Sequence, residues 1–221
     1  MKYFHLIWAA LFRRKTRTFF TLASILAAFL LFGMLDGIRT SFAELGRSAD
    51  GAQRLQTTSR LSLVEMLPRA LAPRIAQIDN IEDVTWANWF GGVYQEPRNQ
   101  LFTFAVADNY LELYPEIEVE PAQLEQWRRT RDGLLVGQQM MERFGWEVGQ
   151  RIPLKSAIFP NSDGTLDWSF QISGVLRAKE GASGGAFTDS IILLHYDYFA
   201  EATPYVDDTV GWYISRVSDV N

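Results

Sequence analysis

From Thr18 to Leu35 the chain runs for 18 residues without a charged side chain. At the helical rise this stretch covers about 27 Å, close to the ~30 Å hydrocarbon thickness of a bilayer, which predicts a membrane-spanning helix over 18–36. Ahead of it, Phe4, Ile7, Trp8, Leu11 and Phe12 recur at i, i+3, i+4, i+7 and i+8, one apolar stripe of a helix. With Arg13, Arg14, Lys15 and Arg17 behind the stripe, residues 1–17 are expected to lie along the cytoplasmic leaflet, anchored to membrane lipid by that basic cluster and Trp8. Past Leu35, the spacing of Ile38, Phe42 and Leu45 continues a helix, so a stalk is expected over 37–56. Gly33 and Gly37 bracket the exit and are candidate hinge positions, although small residues also serve packing in membrane helices.

Beyond the stalk the pattern alternates between periods of two and 3.6. "RLQTTSRLSL" alternates like a strand, and "PRALAPRIAQI" has helical spacing that ends near Asp79-Asn80. "EDVTWANWFGGVY" and "NQLFTFAVA" read as strands joined by a turn at Pro97, while "DNYLELYP" is a helical turn stopped by Pro115. "PAQLEQWRRTR" opens a helix on Pro121. An apolar strand at Leu134 to Val136 then feeds a helix from Gln138 to Phe144. Gly145 ends that helix and Gly149 turns the chain into "QRIPLKS", both being structural turn positions. "DWSFQISGVLR" is a further strand, "SIILLHYDYFAEA" a buried strand followed by a helix, and "TVGWYISRV" a final strand. Adjacent strands mixed with short helices predict an α+β domain over 57–221.

Charge separates the two parts. Six of the 21 basic residues lie in the first 39 positions, against the single acidic residue Asp36, which leaves 15 basic and 25 acidic groups for the rest. An acidic body repels phosphate backbones, so nucleic acid is not expected as a partner. The basic cluster before the apolar run places the N-terminus in the cytoplasm and exports the body. A cleaved signal peptide fits poorly: the apolar run is too long, and the best small-x-small site, Ser41-Phe42-Ala43, lies well past its end. A soluble core helix would have to bury every face of the 18 residues.

Candidate chemistry is sparse. The chain has no cysteine, which removes disulfides, thiolate metal sites and a thiol nucleophile, and its two histidines, His5 and His195, are far apart. "GASGG" matches G-x-S-x-G at Ser183, with Asp189 and His195 following in the order of an α/β-hydrolase triad, but no strand precedes the serine and the spacing is too short. A glycine-rich loop entering a strand is the expected structure. "NSDGTLD" lacks the spacing of a calcium loop and is expected as a polar turn, and Asp207-Asp208 as a solvated loop. His195, beside a buried strand, is expected to be a hydrogen-bonded structural histidine. No phosphate-cradling G-x-x-x-x-G-K-[ST] occurs, so no cofactor is expected and any ATP dependence belongs to a partner.

The order of these features resembles that of MacB/FtsX-like ABC transporter permeases. "LIWAALFRRKTRTFFTLASILAAFLLFGML" is similar to the opening of that family, where a basic segment leads into the first membrane helix. "GLLVGQQMMERFGWEVGQRIPL" resembles the strand-helix-turn-strand signature of its periplasmic core domain, and "FQISGVL", "SIILLHYDYFAEA" and "GWYISRVSDVN" follow in the family's order. Such permeases continue into three further membrane helices, so this chain is expected to be the N-terminal part of one, or a truncated product. The resemblance implies a non-enzymatic permease subunit in the bacterial inner membrane with a periplasmic domain. Its implied partners are an ABC ATPase subunit, a second permease copy or paralogue, and a periplasmic adaptor or lipoprotein. Lipoprotein release or export of a substrate is the implied work. The alternatives are a single-pass anchored binding module without an ATPase and an anchored hydrolase using Ser183.

Overall fold

A computed structural model describes residues 13–45, 53–62, 65–182 and 184–218. Two compact units divide the chain, residues 1–46 and 47–221. In the first, helix α1 (Lys15–Leu45) runs without interruption through Gly33 and Gly37. A β-carbon added at either glycine would meet nothing within 4 Å. The stripe over residues 4–12 lies outside the described residues, as does the stretch between Leu45 and Gln53.

The second unit is α+β. Its elements in chain order are β1 (Arg54–Thr57), β2 (Leu67–Pro68), a 3-10 turn (Arg69–Leu71), α2 (Ala72–Ile75), β3 (Ile81–Trp89), β4 (Gly92–Val93), β5 (Gln100–Val106), α3 (Tyr110–Leu113) and β6 (Ile117–Val119). There follow α4 (Pro121–Arg129), β7 (Gly133–Gly137), α5 (Gln138–Phe144), β8 (Arg151–Ser156), β9 (Asp167–Ala178), α6 (Gly185–Thr188), β10 (Ile191–His195), α7 (Tyr196–Ala202), β11 (Thr209–Val210) and β12 (Trp212–Val217).

One sheet runs β1-β12-β3-β5-β10-β7-β9-β8-β4, with β6 also on β9, and β4 pairs back onto β5. The pairings therefore close a ring of six strands from β5 through β10, β7, β9, β8 and β4, with β3, β12 and β1 as an arm extending from β5. Within the ring β10 is parallel to β5 and β7 to β9, and the other pairs are antiparallel. Strands β10 and β7 are buried on both faces, which is why their sequences "IILLH" and "GLLVG" are continuous apolar runs instead of alternating ones.

The two faces hold two cores. One contains Phe90, Leu134, Ile152, Leu154, Trp168, Phe170, Ile192, Leu194 and Phe199. Phe90 meets the rings of Trp168, Phe170 and Phe199 edge-on at 5.3, 5.7 and 5.7 Å, the arrangement that aromatic quadrupoles favour. The other contains Tyr110, Leu113, Trp127, Leu135, Leu176, Leu193 and Ile214. Strand β9 serves both: the register shifts opposite Leu134 and Leu135, so that Ile172 faces the first core and Leu176 the second. A bulge at that point turns the later residues to the opposite face.

Four expectations change in detail. "PRALAPRIAQI" forms a 3-10 turn and one α-turn, because Pro73 supplies no backbone donor. "TVGWYISRV" is split at Gly211: β11 joins β2 in a separate two-stranded sheet, and β12 joins the main one. Gly211 passes so near β3 that its N–H donates to Ala87 O and to Asn88 Oδ1, and an added β-carbon would lie 3.0 Å from Ala87 O. The segment after "GASGG" forms the one-turn α6 instead of a loop, starting at Gly184 with φ 81°. Arg54–Thr57, at the end of the segment expected as stalk, is strand.

Candidate functional site

Helix α1 is apolar on every side. Phe19, Phe29, Phe32 and Leu35 are each about two-thirds exposed, and Leu22, Ile25, Leu26 and Leu30 are each about half exposed or more. Exposure of that kind is unfavourable in water at roughly 25 cal/mol per Å² and favourable in hydrocarbon. The Thr21 and Ser24 hydroxyls are satisfied within the helix: Thr21 donates to Arg17 O, and Ser24 to Phe20 O and Thr21 O, all within 3.0 Å. Lys15–Gly37, 23 residues, is long and apolar enough to cross a membrane. At 1.5 Å per residue it reaches about 34 Å. Arg13, Arg14, Lys15 and Arg17 are exposed at its N-terminal end, while Trp8 lies outside the described residues.

In the second unit two of the three hydrolase residues, Asp189 and His195, are engaged elsewhere. His195 Nε2 stands 2.9 Å from Trp127 O, its ring is stacked on Trp127 at 4.0 Å, and Nδ1 lies 3.6 Å from Asp108. Asp189 Oδ1 accepts the backbone N–H of Ala178. Ser183 lies outside the described residues. "NSDGTLD" is a closed turn: Asn161 N donates to Thr165 O, and Asp163 accepts from the Thr165 N–H and hydroxyl. Those two bonds hold the Asp163 carboxyl below its usual pKa. Asp208 pairs with Arg69 at 2.9 Å. Among the described residues no three side chains of metal-ligating type gather. Gly145 and Gly149 have φ 63° and 92°, the left-handed region, and Gly145 closes α5.

Sequence reasoning missed a cluster where the second unit begins. Arg54, the first residue of β1, forms a bidentate pair with Glu116, and its Nη1 also donates to Leu113 O at 2.7 Å. The guanidinium lies 4.2 Å over the Tyr114 ring, which is itself stacked on Tyr110 at 4.4 Å. The Arg54 and Glu116 side chains are each only 11% exposed, so the pair is nearly dry. Burial alone would lower the Arg54 pKa, but the Glu116 carboxylate outweighs it and raises that pKa. Burial pushes the Tyr110 phenol well above its ordinary value, and Tyr114 upward in the same way. On β12, Arg216 stands opposite Arg54 and donates to Glu112 O.

Two surface features accompany it. A groove of about 630 Å³ lies between α3, β6, α4 and the end of β9, with Ile117, Val119 and Leu124 in its wall. Across β3, β5, α6 and β12, Trp89, Phe102, Phe104, Phe187 and Trp212 form a chain of ring contacts at 5.3 to 6.4 Å. Phe102 is half exposed and Trp89 and Phe187 somewhat more than a third.

Comparison with known proteins bears on the whole arrangement. A comparison with curated protein sequences finds no match. Among solved structures, the periplasmic region of MacB from Actinobacillus actinomycetemcomitans is similar at 11% identity, with a TM-score of 0.52 over 77% of this chain and 78% of that one. The extracellular domain of the ABC-type transporter YknZ from Gram-positive bacteria matches at 11% identity and a TM-score of 0.48, over 76% and 83% of the two chains. A permease-protein domain from Porphyromonas gingivalis matches at 16% and 0.49, over 79% and 80%. The model of the MacB-like periplasmic core domain matches residues 22–219, from inside α1 to beyond β12. The chain therefore belongs to the family of the MacB-like periplasmic core domain, the module that ABC transporter permeases carry outside the membrane.

Proposed function

We propose that this chain is part of an ABC transporter permease subunit that couples a separate ATP-hydrolysing subunit to work on a periplasmic substrate or protein. Helix α1 is its membrane span, with the N-terminus in the cytoplasm and the β-domain outside. Arg13, Arg14, Lys15 and Arg17 hold the inner end at the lipid headgroups, assisted by Trp8. A second permease copy or paralogue completes the membrane assembly, and an adaptor or lipoprotein receives the work. The observation that carries this reading is the extent of the family match, which begins at Leu22 within the apolar helix and continues through the β-domain. The matched span thus takes in the greater part of the apolar helix together with the domain.

The absence of cysteine makes the topology directly testable. Single cysteines at Ser48 and Ser162 are expected to react with a membrane-impermeant maleimide in intact cells, and one at Thr16 only after lysis; the opposite pattern overturns the orientation. Coupling is tested by tagging the chain in its native membrane and extracting it in mild detergent. An ATP-hydrolysing subunit is expected to copurify. Recovery of the chain without ATPase activity would replace the permease reading with that of an anchored interaction module.

A further inference from the structure

We propose that the Arg54–Glu116 pair is the mechanical anchor at which displacement of α1 enters the β-domain, an inference that rests on the permease reading for the origin of the displacement. The need for an anchor follows from β1 itself. It is the first described strand after α1, it has four residues of which three are exposed, and it pairs along one side with β12. A short edge strand with so little buried surface peels readily when its end is pulled. The chain that leaves α1 enters the domain at this strand.

Arg54 counters peeling at the residue where tension arrives. Its guanidinium is held by both Glu116 oxygens, by Leu113 O and by the face of Tyr114. These partners do not belong to the neighbouring strand. They lie on the corner between α3 and β6, whose Tyr110 and Leu113 are buried in the second core and whose β6 pairs with β9. Along the sheet β1 and β9 are separated by β12, β3, β5, β10 and β7. The ion pair therefore ties the outermost strand to the middle of the sheet by a path that bypasses five strands. Arg216 strengthens the same corner by donating to Glu112 O, the residue before the one Arg54 grips. Two arginines directly opposite each other on neighbouring strands would repel. Both being turned onto α3 converts an unfavourable cross-strand pair into two attachments.

The test is to pull on single molecules of the full chain in detergent or bicelles, with handles on cysteines introduced at Thr40 and Glu142. The native chain is expected to show no extension before the domain unfolds. Arg54→Gln is expected to add an early step at lower force, of no more than about 45 Å, the contour of residues 54–66. With handles at Ser162 and Asp207, which avoid β1, the variant is expected to lose far less unfolding force than along the first axis. The proposal is overturned by an early step in the native chain, by its absence in Arg54→Gln, or by equal weakening along both axes, which would make the pair an ordinary stabilising contact. If Arg54→Gln does not fold, Glu116→Gln, which keeps an acceptor and loses the charge, takes the same two pulls. Failure of the permease reading is seen separately, in the copurification experiment, where Arg54 is unchanged.

Discussion

A charge inside a small domain is tolerable only while its partner stays in place, and Arg54 with Glu116 shows the consequence for mutation. Removing one member leaves the other buried without water or counter-charge, at a cost of about 3–5 kcal/mol, whereas replacing both with apolar groups removes the desolvation as well as the attraction. Arg54→Met and Glu116→Met are each expected to shift urea unfolding of the full chain by that amount, and the double variant to recover the larger part. Tryptophan fluorescence of the domain reports the transition, and simple additivity of the two losses would show that the pair is not coupled. Nothing in "RLQT" or "YPEIEV" announces this contact, because 62 residues separate its members and each reads as an ordinary surface charge. His195 was more legible. A histidine beside a buried apolar strand needs a hydrogen-bond partner, and it has one in Trp127 O.

At the scale of elements, periodicity locates what local physics decides and misses what distant contacts decide. Helix α5 runs from Gln138 to Phe144 as its spacing indicates, because its boundaries are set by neighbouring residues. The bulge in β9 and the division of β11 from β12 depend on where β7 and β3 lie, and alternation within "DWSFQISGVLR" or "TVGWYISRV" carries no trace of either. Gly137 shows the same dependence. It stands at the start of α5, and a β-carbon there would fall 2.3 Å from Asp189 O and 2.9 Å from Thr188 O. Both are backbone atoms at the end of α6, and Asp189 O also receives the Gln139 N–H. Gly137→Ala is thus expected to cost about 1–3 kcal/mol through overpacking, visible as a lower melting temperature and as faster amide exchange at Gln139. Unchanged melting would mean that the α6 turn yields freely.

At the scale of the whole molecule, the sequence separates an apolar helix from an acidic α+β body because the two answer to different solvents, and that contrast survives without any knowledge of contacts. Ring closure through β4 does not, since two residues pairing with β5 and β8 leave no pattern to read. The body's stability should carry a signature of how many tyrosines the two cores enclose. Burial raises the pKa of Tyr110, Tyr114, Tyr198 and Tyr213, and pushes Tyr196 up to about 12. A phenol with a raised pKa in the folded state binds its proton more tightly there than in the unfolded chain. Its contribution is complete below the unfolded value of about 10 and is lost as pH rises through the folded value. Urea midpoints are therefore expected to be insensitive to tyrosine ionisation up to about pH 9.5, then to fall from about pH 10 toward 12. The share of tyrosinate absorbance that comes from these five phenols should rise with unfolding instead of before it. If the buried phenols ionise near pH 10 while the domain remains folded, the cores are open to water at those rings, and the tie between Arg54 and the Tyr110–Tyr114 stack would be wet as well.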